Sequence, residues 1–438
     1  MLGTPRAALV AIVLAGLVLR IGAVATDGGY KPANDAFEYD YYARAIADGD
    51  GYPRSGYLLQ GGPTAIRGPG YPYFLGGVYA LSGSSATAGR VADALLGALA
   101  IVLTYLIARR IWGVRVGLLA AALTAVFPPL VLLSRELLSE SLFIVLELGA
   151  VLCALNYRRS GGALGWAAGA GALCGLALLT RNTGLALLLP LALGVLVLQP
   201  RFRPRALLGP AVLLAVAALV VAPWTIRNTV QFDRFVPLTT SAGITAAGVY
   251  NPTSHDSNTH GAWRDPRTVP SLAPLFETPG LDEAEVDAKL RREARDFAWQ
   301  HPVYVAEAFG WNLARMFELT GGSVVDREGN PVDDRGIGSA APTSERIGIA
   351  ILVLLGLVGT LALIFSRRAN PGDSERPPGL PRGPFFLWLI PILILTTTAL
   401  VNGLPRDRLP ADPFLLILAA IGLAVVYDRA RGREIQAR

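Results

Sequence analysis

Apolar segments long enough to cross a bilayer recur along almost the whole chain, and this pattern limits the fold more than any other feature. About ten segments have the length that a transmembrane helix needs. Hydrophobic residues make up 52% of the 438 residues and charged residues only 16%, which is more apolar than a soluble fold usually is. The sequence therefore predicts an all-α polytopic membrane protein with spans at 6–25, 88–108, 116–134, 137–157, 163–180, 183–199, 206–226, 346–366, 385–402 and 410–427.

Two apolar segments need separate treatment. Segment 70–82 is too short to span, so we expect it to be interfacial or re-entrant. Segment 6–25 also resembles a signal peptide, because Ala23-Val24-Ala25 has the pattern of a cleavage site. Arg20 interrupts that pattern and nine more spans follow, which favours a retained first helix. Two cysteines, Cys153 and Cys174, fall within predicted spans, so no disulfide framework is expected.

The positions of the arginines predict the orientation. If the N-terminus with Arg6 is cytoplasmic, every inside loop of a ten-span chain is basic, as the positive-inside rule requires. These loops are 109–115, 158–159, 201–205, 367–382 and the tail from 429. The net charge of +6 is therefore explained by the basic residues that orient the chain in the membrane. We expect membrane lipids, and not nucleic acid, to be their partner. We expect a multi-pass protein of a bacterial plasma membrane.

Ionisable residues collect on the opposite, extracytoplasmic face. The densest group is 34–42, which places three carboxylates and three tyrosines directly after the first span. Carboxylates are costly near hydrocarbon unless they face water, a partner or a substrate. Five other elements of this face carry ionisable residues: 135–140, 180–182, 227–228, the long loop after 228, and 404–410. This convergence on one membrane surface is typical of an enzyme that works at the interface.

Several short motifs follow one another in a recognisable order. They are the acidic motif at 34–42, Gly51-Tyr52-Pro53, Arg67-Gly68-Pro69-Gly70-Tyr71-Pro72, Ser139-Glu140-Ser141-Leu142-Phe143, Leu179-Thr180-Arg181, Pro223-Trp224-Thr225-Ile226-Arg227-Asn228 and Arg406-Asp407-Arg408-Leu409-Pro410. Their order and topology resemble the GT-C glycosyltransferases, specifically the family 39/83-like group of protein mannosyltransferases and lipid A aminoarabinose transferases. The resemblance implies a GT-C-like bundle of about ten transmembrane helices, with interfacial helices in the first outside loop and a mixed outside loop domain.

The predicted organisation has three parts. Residues 1–228 form an N-terminal catalytic module that includes the first outside loop, 26–69. Residues 229–345 form a large extracytoplasmic loop, and 346–438 form C-terminal transmembrane helices with a short basic cytoplasmic tail.

The resemblance also implies an activity, the inverting transfer of a sugar from a polyprenyl-phosphate donor to a lipid, glycan or protein acceptor outside the cytoplasm. Two departures leave the acceptor open. Protein mannosyltransferases usually have an Asp-Glu pair where this chain has Asp35-Ala36, and the lipid A enzymes carry a larger C-terminal soluble domain.

Asp35 matches the position of the family's catalytic aspartate and is the expected general base, since attack on the anomeric carbon requires the acceptor hydroxyl to lose its proton. Asp35 and Glu38 also form the Asp-x-x-Glu pattern of a capping box, in which Asp35 only caps a helix. Asp40 is a second catalytic candidate, and Glu38 and Tyr39 are candidate substrate-binding residues. The alternative for Glu38 and Asp40 is a solvated helix face.

Glu140 lies at the outside end of a predicted span, where an ionisable group must face the bundle interior or water. It is a candidate second acid or a group that orients the acceptor. The structural alternative is a salt bridge with Arg135 or Arg181.

Arginines are the candidates for binding the donor phosphate, because guanidinium groups match phosphate oxygens in geometry and stay charged. Arg406 and Arg408 lie in a turn bounded by two prolines, and an extended Arg-x-Arg would direct the two side chains oppositely. Arg181 and Arg67 are further candidates. The alternative for Arg406 and Arg408 is anchoring to lipid headgroups.

Arg227 is a candidate substrate-binding residue, or an anchor beside the aromatic-belt residue Trp224. No metal ligand is assigned, because His255 and His260 lack the spacing of a helical metal pair. A divalent cation stays open as a cofactor. The sequence contains no phosphate-binding loop or dinucleotide motif, which agrees with a lipid-activated donor.

Two other functions are compatible with a polytopic chain. A transporter or lipid flippase would place coupling charges near the bilayer midplane and often show internal repeats, whereas these predicted spans are nearly free of charge at mid-depth. A ligase or polymerase of undecaprenyl-linked glycans would lack the acidic motif directly after the first span.

Overall fold

Helices dominate the computed structural model, which describes residues 4–55, 61–196, 204–320, 324–325, 331–332, 343–366 and 386–431. The helices are α1 (Pro5–Ala25), α2 (Asn34–Ala47), α3 (Gly70–Ser82), α4 (Ala86–Trp112), α5 (Val114–Val126), α6 (Pro128–Leu132), α7 (Glu140–Arg159), α8 (Leu164–Thr180), α9 (Leu185–Val195), α10 (Leu208–Phe232), α11 (Ala242–Val249), α12 (Pro252–His255), α13 (Pro274–Glu277), α14 (Glu283–Gln300), α15 (Pro302–Met316), α16 (Thr343–Ser366), α17 (Phe386–Ala399) and α18 (Asp412–Ala430). Three two-residue strands, β1 (Trp263–Arg264), β2 (Val324–Val325) and β3 (Pro331–Val332), complete the fold together with short 3₁₀ turns.

Each of the ten predicted spans coincides with a helix or with a pair of helices. By length and composition, five of the described helices can cross a membrane alone: α1, α4, α7, Arg205–Phe232 and α18. A sixth crossing is formed if α5 and Pro128–Arg135, which meet at an angle of 58°, are taken together. The other apolar helices are shorter. The protein is thus a multi-pass membrane protein, and the count of ten spans stays a prediction.

The apolar helices share one core. Helix α8 packs between α7 and α10, and α4 packs against α1, α5 and α7. The C-terminal helices join the same core, because α18 contacts α5 and α16 while α17 contacts α9. The predicted modules 1–228 and 346–438 therefore pack against each other in the described residues. Arg115 at the start of α5 pairs with Asp428 near the end of α18. The start of α5 and the end of α18 therefore lie at the same end of the bundle.

Segment 70–82, predicted to be interfacial or re-entrant, forms the 13-residue helix α3. It packs against α2, where Gly76 approaches Ile46 so closely that a side chain at this position would collide with it. Helices α2 and α3 thus form a pair of short helices in and beside the first outside loop.

The segment after α10 forms a separate small core. It consists of α11 to α15 and a three-stranded sheet in the order β1-β2-β3, in which β1 and β2 are parallel and β2 and β3 are antiparallel. Buried residues of α11, α14 and α15 fill this core, and the Asp282–Glu285 capping box starts α14. We call this segment the outside domain, after the extracytoplasmic loop that the sequence predicts at 229–345.

Arg20 explains how α1 is fixed to the bend between α5 and α6. The residues that follow Phe127 are Pro128 and Pro129, and proline has no backbone N–H. The carbonyl oxygens four residues earlier, at Thr124 and Ala125, therefore have no helical donor. Arg20, which is 1% exposed, donates to both oxygens at 3.1 Å.

Space for this side chain is provided by Gly97 on α4, because a Cβ atom there would lie 2.4 Å from Nε of Arg20. The arginine that interrupts the signal-peptide pattern is thus a packing residue between α1, α4 and α5.

We predict that Arg20→Met lowers the stability of the protein by about 1–3 kcal/mol, because two buried carbonyl oxygens lose their donor. Thermal unfolding in detergent measures the effect. Arg6→Met is the matched control, since Arg6 lies on the same helix and is exposed. Equal melting temperatures for the two variants would contradict this role of Arg20.

Candidate functional site

Asp35 lies in the first turn of α2, and its carboxylate is held between two arginines. Helix α2 begins at Asn34 after Ala33, and no side chain caps its N-terminus. Arg67 donates from Nη2 to Oδ1 of Asp35 at 2.5 Å, and Arg406 donates from Nη2 to Oδ2, also at 2.5 Å. The capping-box alternative for Asp35 is therefore wrong.

The two guanidinium groups determine the charge of Asp35. Burial raises the pKa of this carboxyl, but the positive charges of Arg406 and Arg67 lower it by more than burial raises it. The resulting pKa is therefore well below the ordinary value. The side chain keeps 26% of its surface exposed. Asp35 is thus an ionised carboxylate that solvent can reach.

Arg67 extends the group to two other predicted residues. Its Nε donates to Oε2 of Glu38 at 2.5 Å, and its guanidinium lies 5.4 Å from the centre of the Tyr39 ring. Burial raises the pKa of Glu38, and Arg67 opposes the rise without cancelling it. Arg67 therefore places Asp35, Glu38 and Tyr39 around one cation, as the sequence predicts for neighbouring site residues.

Arg181 organises a second layer behind Asp35. It pairs with Oε1 of Glu140 at 2.8 Å and with Oδ1 of Asp407 at 2.9 Å. Nε of Arg406 lies 3.9 Å from the same Glu140 oxygen, which joins the two layers. The salt bridge between Glu140 and Arg181, given above as the structural alternative for Glu140, is thus present within a larger network.

The two layers are also connected by hydroxyl groups. Tyr39 donates to the Ser139 hydroxyl at 3.0 Å, and Arg181 donates to the same oxygen at 3.1 Å. Burial raises the pKa of Asp407 to about 6, although Arg181 and Arg406 lower it. Asp407 is therefore the carboxyl of this network whose charge changes near neutral pH.

Arg408 lies outside this network. It is 1% exposed and donates to both carboxylate oxygens of Asp412, at 2.9 and 3.3 Å, and to the carbonyl oxygen of Met316 at 2.8 Å. The 3₁₀ turn Pro405–Arg408 directs Arg406 and Arg408 to different neighbours. The two side chains diverge, but the backbone is a 3₁₀ turn and not the extended segment from which the sequence analysis derived this divergence.

Asp40 and Arg227 also lie apart from Asp35. Asp40 accepts from Arg44 at 2.7 Å and from the Tyr79 hydroxyl at 2.5 Å, so it holds α2 against α3. Arg227 donates to the carbonyl oxygen of Thr64 at 2.7 Å. It contacts the loop that carries Arg67 but none of the carboxylates of the site among the described contacts.

Two residues of the network escaped the sequence analysis as functional candidates, Asp407 and Ser139. Asp407 stands between Arg406 and Arg408 in the sequence, and this position does not show that its partner in the fold is Arg181. Glu147 was also overlooked: it is buried inside α7, and neither of its carboxylate oxygens has a partner among the described residues. It lies at the middle of the predicted span 137–157, so the predicted spans are nearly, but not completely, free of ionisable residues there.

A divalent cation does not fit the described site. Both oxygens of Asp35 already accept from guanidinium groups, and a metal ion placed there would face two positive charges at short range. The described residues contain no group of three or more His, Cys, Asp or Glu side chains that could hold a metal. We therefore derive no step through a metal.

Comparison with known proteins identifies the fold. A sequence model of the family described as dolichyl-phosphate-mannose-protein mannosyltransferase matches residues 66–226, which include Arg67, Glu140 and Arg181. No curated protein matches the chain.

Among solved structures, the apo oligosaccharyltransferase of Archaeoglobus fulgidus matches with a TM-score of 0.58 and 16% identity, over 99% of this chain and 52% of that chain. The oligosaccharyltransferase AglB of the same organism, in complex with an inhibitory peptide and a dolichol-phosphate, matches with a TM-score of 0.55 and 17% identity over the same shares. ArnT from Cupriavidus metallidurans bound to undecaprenyl phosphate gives a TM-score of 0.44 at 18% identity, over 97% of this chain and 78% of that chain.

These comparisons confirm the resemblance at the level of fold. The chain has the GT-C membrane fold, and it spans about half the length of the archaeal oligosaccharyltransferases that it matches.

We predict that Arg408→Met destabilises the protein by about 3–5 kcal/mol, because it leaves the buried Asp412 without its partner. Arg406→Met should cost less, since Asp35 keeps Arg67 and reaches solvent. Thermal unfolding in detergent compares the two. The double variant Arg408→Met/Asp412→Leu should recover stability, and a Arg408→Met protein as stable as wild type would show that the pair is not structural.

Proposed function

We propose that this chain is an inverting integral-membrane glycosyltransferase that moves a hexosyl or pentosyl unit from a polyprenyl-phosphate donor to an extracytoplasmic acceptor. The observation that carries the proposal is the Asp35 carboxylate held between Arg67 and Arg406 at one end of a GT-C bundle. The match to the mannosyltransferase family and the dolichol-phosphate in the AglB complex support a lipid-linked donor.

The donor phosphate is assigned to Arg406 and Arg67, with Arg181 behind them. These guanidinium groups bind carboxylates in the structure, and a phosphate would compete for the same donors with the same geometry. Arg408 has no role in this proposal, because its guanidinium is already bound to Asp412 in a buried site. Glu140 then serves to orient Arg181, whereas Asp407 competes with the phosphate for the same guanidinium.

Asp35 is the proposed general base, and its pairing determines when it can act. Bound to two arginines it is a weak base, since its pKa is low. When Arg406 and Arg67 turn toward the phosphate, Asp35 loses the stabilisation of its charge and its basicity rises. Donor binding therefore activates the base.

The transfer then needs one proton acceptor and one leaving group. The acceptor oxygen forms a bond to the anomeric carbon while its proton passes to the Asp35 carboxylate. The bond between the anomeric carbon and the phosphate oxygen breaks on the opposite side, and its electron pair stays on the phosphate. The arginines stabilise the charge that develops there. Attack opposite to the leaving group inverts the anomeric centre.

Glu38 and Tyr39 are proposed to contact the sugar or the acceptor, because Arg67 holds both beside Asp35. Arg227 is instead assigned to the wall of the site, where it holds the loop that carries Arg67. A lipid, glycan or protein hydroxyl is an acceptor of the required chemistry. The basic residues of 109–115 and 158–159, at the opposite end of the bundle, favour an extracytoplasmic position for this site, and we propose a bacterial plasma membrane as the location.

We predict that Asp35→Asn abolishes transfer, because an amide cannot take up the proton, while thermal unfolding stays close to wild type. Release of polyprenyl phosphate from radiolabelled polyprenyl-phosphate hexose and pentose donors measures transfer. Asp40→Asn is the matched control on the same helix, and we expect it to retain activity. Substantial turnover by folded Asp35→Asn would remove Asp35 from the mechanism as a base.

We also predict a pH dependence of donor binding that comes from Asp407. Below about pH 6 this carboxyl is protonated, which removes a negative charge and releases Arg181 for the phosphate, so binding of undecaprenyl phosphate should be favoured as pH falls through that value. The titration of the lipid phosphate itself contributes equally to wild type and variant. Asp407→Asn should therefore bind more tightly than wild type at pH 7.5, and the difference should vanish at pH 5. A constant difference across this range would contradict the assignment.

A further inference from the structure

The loop between α2 and α3 carries Arg67, and a carboxylate of the outside domain fastens this loop. Glu283, the first residue of α14, is 2% exposed. Its Oε1 accepts from the backbone N–H of Ala65 at 2.8 Å and also from the Thr240 hydroxyl. Its Oε2 accepts from the Thr64 hydroxyl at 2.8 Å. One buried side chain thus binds two consecutive residues of the loop.

Other contacts fix the same stretch from different directions. The backbone N–H of Thr240 donates to the carbonyl oxygen of Ala65 at 3.0 Å, and Arg227 donates to that of Thr64. The Tyr52 hydroxyl donates to the carbonyl oxygen of Arg67 at 2.6 Å. Ala65 is only two residues before Arg67, so a displacement of Ala65 is passed along roughly 7 Å of chain to Arg67.

We propose that Glu283 is a positioning residue that holds Arg67 against Asp35. The outside domain thereby sets the geometry of a site with which it shares no catalytic side chain, through a contact that joins residues 218 positions apart. The consequence for catalysis rests on the proposed function, whereas the anchoring of the loop does not.

Glu283→Gln tests the anchor with the smallest change of shape. A carboxylate accepts at both oxygens, while an amide accepts at one and donates at the other, so glutamine can no longer accept from the Ala65 N–H at one end of the group and from the Thr64 hydroxyl at the other. Loss of such a buried hydrogen bond should increase local opening of the loop roughly tenfold.

Asp287 provides the matched control on the same helix. It lies one turn after Glu283 and is also 2% exposed. It accepts from the backbone N–H of Gly243 at 2.5 Å and pairs with Arg291, so it holds α14 to α11. None of its described hydrogen bonds reaches the loop. Asp287→Asn therefore perturbs α14 to a similar extent without touching Ala65.

Hydrogen exchange of the full-length protein in detergent tests the anchor without any assay of function. In Glu283→Gln, exchange at 61–68 should increase roughly tenfold over wild type. In Asp287→Asn, exchange at 61–68 should stay as in wild type. Unchanged exchange at 61–68 in Glu283→Gln would overturn the proposal. If Glu283→Gln does not fold, Thr64→Val serves in its place. It removes the bond to Oε2 of Glu283 and also the acceptor of the Ile66 N–H, so exchange at Ile66 is left out of that comparison.

A double-mutant cycle then tests whether the anchor acts through Arg67. Glu283→Gln should lower kcat/KM for the donor about tenfold in the wild-type background and have no further effect when Arg67→Ala is present. Asp287→Asn should have the same effect in both backgrounds. Losses that add in the Glu283–Arg67 cycle would overturn the positioning role.

Binding of undecaprenyl phosphate to the wild-type protein separates the two hypotheses. Absence of binding would contradict the proposed function and leave the exchange result standing. Binding that is equally tight in wild type and Glu283→Gln, together with additive losses of activity, would instead sink the positioning role alone.

Discussion

The outer end of the bundle depends on one kind of interaction, the pairing of arginine with carboxylate across segments that are distant in sequence. A charge removed from water costs several kcal/mol unless an opposite charge and hydrogen bonds replace the solvent. Asp35 and Arg406 are 371 positions apart, yet each needs the other or an equivalent partner. The pairing therefore joins the first outside loop to the last turn before α18. The same contact therefore belongs to the site and to the packing of these two segments.

The arginines of the site are already paired with carboxylates of the same site, and this pairing affects how tightly an anionic ligand can bind. An anion can bind only by replacing a carboxylate as the partner of an arginine, so the net gain is the difference between two similar interactions. The raised pKa values of Glu38 and Asp407 reduce this cost, because either carboxyl can become neutral when a second anion approaches. In the proposed mechanism this exchange also changes Asp35 from a stabilised carboxylate into a base. Donor binding and base activation are then coupled by the same two arginines.

Much of the architecture could be predicted because hydrophobic length is a local property of the sequence. The apolar segments match helices, and the order of motifs identifies the GT-C fold. The bend after α5 could also have been predicted, since Pro128 and Pro129 stand within the segment 116–134. Local sequence patterns do not show which residue pairs with each charged side chain. Arg406 and Arg408 differ by two positions in one turn, but only the packing of α15 and α18 determines that Arg408 binds Asp412 and Met316.

The same limit applies to residues that were overlooked. Glu283 appears in the sequence as the first residue of an amphipathic helix, and its role depends on a loop more than 200 positions earlier. Arg20 appears as an interruption of an apolar segment, and its partners are two carbonyl oxygens left free by prolines on another helix. In both cases the chemistry of the side chain is visible in the sequence, whereas the group that requires it becomes adjacent only in the folded chain.

Access to solvent separates the charged pairs that can change partners from those that cannot. Arg408 and Asp412 are 1% and 0% exposed, so breaking their pair would leave two buried charges with nothing to replace it. Asp35 keeps 26% of its surface exposed beside Arg67, so water or a ligand can take over as one contact is lost. Both pairs join arginine to aspartate. Their surroundings make one a fixed element of the fold and the other the pair that we propose to open for the donor phosphate.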